Sequence, residues 1–116
     1  MKLLFIQTSA PHGRINAQEG LDALLMGSAF ADCSLLFTAE GVLQIVKGQS
    51  TAALGTKDFS KTFGALQDYG VKKIYYRSES MRRYSLTTED LLLDATPISD
   101  PEIHKLLQQH DRVLTF

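Results

Sequence analysis

One cysteine, Cys33, is the only thiol in the 116-residue chain. A lone thiol excludes an internal disulfide framework, and it suits a reducing compartment, so a cytoplasmic location is expected. The three histidines, His12, His104 and His110, have no ligand-like spacing to one another or to Cys33. That argues against a structural zinc site. The charge lacks the basic excess of a typical nucleic-acid binder, with a net value of −1. Apolar runs end after a few residues, far short of the roughly 20 that a membrane span needs. The opening run Leu3 to Ile6 is also shorter than the apolar core of about 7–15 residues in a secretory signal. No G-x-G-x-x-G, P-loop or G-x-S-x-G motif is present, so neither a nucleotide loop nor an acyl-transfer elbow is expected. No cofactor is implied.

What the chain does have is alternation. Short β-type runs are separated by helical ones, the pattern of a parallel sheet covered by helices. The length fits one domain spanning residues 1–116. A first strand is expected over Lys2 to Thr8. Asn16, three residues before Glu19, predicts a capping box opening a helix that runs to about Ala31. A second strand centres on Ser34 to Phe37, followed by a short apolar helical turn over Gly41 to Val46. Lys47 to Lys57 reads as loop. Phe59, Phe63 and Leu66 predict a helix, capped by Thr56 or Asp58 and ended by Gly70 in a left-handed conformation. Val71 to Tyr76 is the third strand, Ser80 to Tyr84 a helical turn and Leu91 to Ala95 the fourth strand. Ser99-Asp100-Pro101-Glu102 starts a helix with Ile103, Leu106 and Leu107 facing the core. Arg112 to Phe116 forms the last strand.

The first helix has too little polarity for a surface helix. Gly20, Leu24, Gly27 and Ala31 share one face; Leu21, Leu25 and Ser28 share a second; Ala23, Met26 and Phe30 share a third. A surface helix should carry one apolar stripe and a wide polar side. Either the helix is wholly covered by its own domain or one side meets another chain. The second reading is favoured because so small a domain has few places to hide a helix. Gly20 and Gly27 would let another backbone approach. Val42, Leu43 and Ile45 add a second short apolar surface. The candidate partner interface is therefore Gly20, Leu24, Gly27, Ala31, Val42, Leu43 and Ile45.

Reactive groups are scarce. Cys33 follows the C-terminal end of a helix and stands beside Asp32, and both features oppose a thiolate. A quiet, buried cysteine is expected. His12, Gly13 and Arg14 lie where a first strand passes into a helix, the usual position of a crevice in a parallel sheet. They are weak candidates for an anion site at the helix N-terminus; a simple turn is the favoured reading. Lys72, Lys73, Arg77, Arg82 and Arg83 form a modest basic cluster, read as a solvated face or inter-subunit ion pairs rather than an RNA contact.

Ala10-Pro11-His12-Gly13 followed by Gln18-Glu19-Gly20-Leu21-Asp22-Ala23-Leu24-Leu25 resembles the bacterial TusC/DsrF family. Glu40-Gly41-Val42-Leu43-Gln44, Asp94-Ala95-Thr96-Pro97 and Asp111-Arg112-Val113-Leu114-Thr115-Phe116 support the resemblance, which covers essentially the whole chain. It implies a DsrE/F-like three-layer α/β/α sandwich with a five-stranded parallel sheet. It further implies a subunit of a sulfur-relay complex, beside TusB- and TusD-like chains in a dimer of heterotrimers. That complex passes persulfide sulfur from donor to acceptor proteins through its D-like subunit. The endpoint is 2-thiolation of the wobble uridine in tRNA, as 5-methylaminomethyl-2-thiouridine. The sister group of the family acts in dissimilatory sulfur oxidation. In the family the sulfur rides on a cysteine just after the third strand of the D-like subunit. Arg77 occupies that place here, and arginine cannot hold a persulfide. The resemblance therefore implies a non-catalytic partner subunit; direct tRNA contact is not expected from so modest a basic cluster.

Overall fold

The computed structural model describes residues 1–10, 15–47 and 60–116, with side chains from Phe63 onward in the last of these stretches. Its strands are β1 (Lys2–Gln7), β2 (Asp32–Phe37), β3 (Lys73–Arg77), β4 (Thr96–Ile98) and β5 (Arg112–Thr115). Its α-helices are α1 (Asn16–Gly27), α2 (Ser60–Ala65), α3 (Ser78–Arg83) and α4 (Asp100–Gln108). A 3-10 segment, Ala39–Ile45, follows β2. The strands form one sheet in the order β4-β3-β2-β1-β5, every pairing parallel.

Strand alternation sorts side chains onto two faces. Phe5, Cys33, Leu35, Phe37, Ile74 and Tyr76 point to one, under Leu21 and Leu24 of α1, Val42 and Ile45, and Phe63 and Leu66. Leu4, Leu36 and Ile98 point to the other and meet Leu106, with Ile103 and Leu107 packed alongside. Helices thus lie on both faces, but unequally. Among the described residues the second face is covered by α4 alone.

Local chemistry explains most boundaries. Ser99 caps α4 through a reciprocal box: its hydroxyl accepts from the Glu102 N–H, and the Glu102 carboxylate accepts from the Ser99 N–H at 3.1 Å. Gly70 takes φ of +83° where the α2 region ends, as expected of a left-handed stop. Phe59, Thr56 and Asp58, the expected start of that helix, lie outside the described residues, as does most of the loop expected over Lys47 to Lys57.

Three expectations need correction. The fourth strand is Thr96–Ile98, not Leu91 to Ala95. Leu91 is instead buried in the larger core and forms an isolated antiparallel bridge with Val46, while Leu93 and Ala95 pack against the same core. An apolar run spent on packing looks like a strand in one dimension. Pro97 is tolerated in β4 because that strand lies at the edge of the sheet. Asn16 is not the N-cap of α1: Ile15 takes that place in right-handed helical geometry, and its carbonyl already accepts from the Glu19 N–H at 2.9 Å. The helix also stops at Gly27, after which residues 28–31 continue as turns bonded back to Leu24, Met26 and Gly27.

The candidate interface residues divide by burial. Gly20, Leu24, Val42 and Ile45 are buried within their own chain. Gly20 lies against the side-chain amide of Gln7, and Gly27 against Phe5 and Leu3. Ala31 packs on the same core, and Leu43 is half-buried. The glycines of α1 let side chains of β1 approach closely. The larger core needs this face to close over the sheet.

Candidate functional site

In a parallel sheet the carboxyl edge collects loops and helix starts, so chemistry concentrates there. α1, leaving β1, covers one face of this sheet; α4, leading into β5, covers the other. A crevice is therefore expected beyond the end of β1. His12, Gly13 and Arg14 lie outside the described residues. Two glutamines that sequence reasoning missed flank this place. The Gln7 amide Nε2 donates to the Ala17 carbonyl at 3.0 Å, and Gln44 Nε2 donates to the Ser9 carbonyl at 2.8 Å. Both side chains are buried, and neither Oε1 atom accepts a hydrogen bond among the described residues. The signal for Gln7 was a polar residue ending an apolar strand on its buried face.

On the opposite face, a cleft of about 250 Å³ opens at the ends of β1, β2 and β3. Ile6, Leu36 and Ile103 form its apolar wall, with Thr38, Arg77 and Asp100 at its polar side. Arg77 ends β3 and reaches the first turn of α4. Its Nε donates to Asp100 Oδ1 at 2.7 Å and its Nη2 to Asp100 Oδ2 at 2.9 Å, a fork-to-fork pair. Its Nη1 lies 3.3 Å from Glu79. The hydrogen bond from Arg77 holds the Asp100 carboxyl below the usual range, helped by the charges of Arg77 and Arg82. Two carboxylates thus occupy this guanidinium, which ties strand to helix. Among the described residues, no thiol or other strong nucleophile lines the cleft.

The lone thiol is elsewhere. Cys33 lies near the start of β2, about four strand residues or roughly 13 Å from its carboxyl end. It is buried, its Sγ donates weakly to the Ala31 carbonyl at 3.7 Å, and burial, then the Asp32 charge, pushes the thiol up. Such a sulfur is a poor nucleophile.

Ser34 and His110 make a hydroxyl–imidazole pair on the α4 face. His110 Nδ1 donates to the Leu106 carbonyl at 2.7 Å, which leaves Nε2 of the neutral ring to accept from Ser34 Oγ at 3.1 Å. Ser34 is buried and away from the cleft, so the pair fastens α4 to β2. His104 is exposed on α4. The expected basic cluster divides: Lys72 and Lys73 stand at the amino end of β3, while Arg77, Arg82 and Arg83 stand at its carboxyl end or on α3. No group of three or more potential metal ligands occurs among the described residues.

The sequence profile of the DsrE/DsrF-like family matches residues 1–116. The chain belongs to that family. A TusC homolog of Vibrio vulnificus is 32% identical over 116 residues, which is 99% of this chain and 98% of that one. The intracellular sulfur oxidation protein DsrF of Allochromatium vinosum is 40% identical over 92 residues, covering 78% of this chain and 68% of its own. The crystal structure of the ychN protein from E. coli superposes with a TM-score of 0.84 at 18% identity, over 100% of this chain and 99% of that one. The five-stranded, all-parallel sheet is thus the DsrE/F-like fold. β3 ends in Arg77, an arginine already committed to two carboxylates.

Proposed function

We propose that the chain is a non-catalytic subunit of a cytoplasmic sulfur-relay assembly serving 2-thiolation of the wobble uridine in tRNA. It would stand beside TusB- and TusD-like chains in a dimer of heterotrimers. Sulfur would pass from donor to acceptor proteins through the D-like chain, without tRNA touching this subunit. One observation carries the reading. At the end of β3, where the family resemblance places a sulfur-carrying cysteine, Arg77 is locked onto Asp100. The one available thiol is buried at the far end of β2. The names of the TusC relatives support the sulfur-relay context. No helix among the described residues is long and apolar enough to cross a membrane.

The test is to co-express the chain with TusB- and TusD-like chains, measure the mass in solution, and load the assembly from a persulfide donor. A stable heteromer is expected, with sulfur on a cysteine of a sister chain and none on Cys33. Cys33→Ser should leave transfer intact. A monomer that ignores both sisters, or sulfur bound covalently to Cys33, would overturn the proposal.

A second reading is favoured by a specific observation, the 40% identity to a sulfur oxidation protein. In that case the same non-catalytic role serves sulfur oxidation. Deleting the gene separates the two: loss of 2-thiouridine from tRNA supports the first, and loss of sulfur oxidation with thiolation intact supports the second.

A further inference from the structure

α1 is closed along one side and bare along the other. Ala17, Leu21 and Leu24 are buried against the sheet. Ile15, Met26 and Phe30 are 68%, 72% and 88% exposed. At 100° per residue, Ile15, Glu19, Asp22 and Met26 share a stripe diametrically opposite the buried residues, and Phe30 extends it through the following turn. The stripe runs for about 20 Å. Single exposed apolar residues are ordinary, but apolar residues at helical spacing form a patch of the kind that marks partner sites.

Charge decides what fits it. From residue 15 to residue 46 the sequence contains no lysine, arginine or histidine; its charged residues are Glu19, Asp22, Asp32 and Glu40. Glu19 is exposed in the middle of the stripe and has no ion-pair partner among the described residues. Helices that bind anionic lipid surfaces are rich in lysine and arginine, and nucleic acids require the same, so both are repelled here. Two copies pairing symmetrically through the stripe would bring no cation to Glu19 and would face like charge with like.

We propose that this stripe docks a different protein chain, whose facing surface holds sockets for Met26 and Phe30 beside a lysine or arginine that meets Glu19. The inference rests on the reading of the chain as a subunit of a heteromer, and it moves the contact surface to the side of α1 opposite Gly20 and Leu24.

The experiment co-expresses the full chain with the TusB- and TusD-like chains of the same cell and reads the mass by light scattering. Three variants accompany the wild type: Met26→Asp with Phe30→Asp, Glu19→Lys, and a control, His104→Glu, on the exposed side of α4. All alter exposed side chains, so each should unfold cooperatively near the wild-type temperature. Wild type and control should assemble. The double variant should lose at least tenfold in affinity. Glu19→Lys should weaken assembly by about tenfold at low salt and less at high salt.

The outcomes separate the two claims. A wild type that joins neither sister overturns the subunit reading, and the inference with it. A wild type that assembles, with both α1 variants assembling equally well, overturns the docking surface and leaves the subunit reading standing. A chain that dimerises with itself, through a contact the double variant dissolves, overturns the commitment to a different partner.

Discussion

A Cβ at Gly20 would lie 2.7 Å from both the Nε2 and Oε1 atoms of Gln7. The buried amide would have to move and give up its bond to Ala17. Gly20→Ala should therefore cost about 1–3 kcal/mol, even though alanine is the better helix former. Gly64→Ala is the matched control: it meets nothing within 4 Å, and in α2 it should gain about 0.5–1 kcal/mol. Denaturant unfolding of both variants checks the pair, and a stable Gly20→Ala would show that Gln7 is free to swing away. Cys33 makes a second residue-scale case. Burial raises its folded-state pKa above the unfolded value, so the folded protein holds the thiol proton more tightly. That stabilisation is complete below the unfolded thiol's pKa and fades as pH climbs through the raised one. A thiol reagent at pH 8 should react with the folded chain far more slowly than with the denatured one. Equal rates would place the sulfur at the surface.

α4 earns its importance from position, since it alone covers one sheet face among the described residues. Ser99→Ala removes the reciprocal cap with Glu102 and should cost about 1 kcal/mol, read by thermal unfolding. This helix was legible in the sequence because its signals are short-range: a cap, a proline and a capping carboxylate within four residues. α1 was legible as a helix, and as one with too many apolar faces, but the face meeting the sheet was not. That choice depends on where β1 places Phe5 and Gln7, which local sequence does not encode. The small residues at Gly20 and Gly27 fit any close approach, and what approaches is the Gln7 and Phe5 side chains of β1. The fourth strand was misplaced for a related reason. Leu91 to Ala95 has the composition of a strand, but tertiary packing draws it onto the core, and the short edge segment Thr96–Ile98 pairs with β3 instead.

At the scale of the molecule, the two ends of the sheet differ in kind. The carboxyl edge has the Arg77–Asp100 tie and an open apolar cleft; the amino edge has the buried Cys33. The class of fold was readable from alternation, and the scarcity of reactive groups from composition. The candidate site was less readable. Arg77 could be named from the resemblance, but its carboxylate partner is 23 residues away in sequence and is met only after folding. The strand order carries a further consequence for how the chain comes together. β1 bonds to β2 on one side and to β5 on the other. During synthesis it can zip to β2 early, yet its opposite margin stays open until β5 emerges. Closing so long a loop is slow, and an unpaired margin invites stray strands in the meantime. β5 therefore acts as the clasp of the newborn chain, and deleting Arg112–Thr115 should trap it half-made.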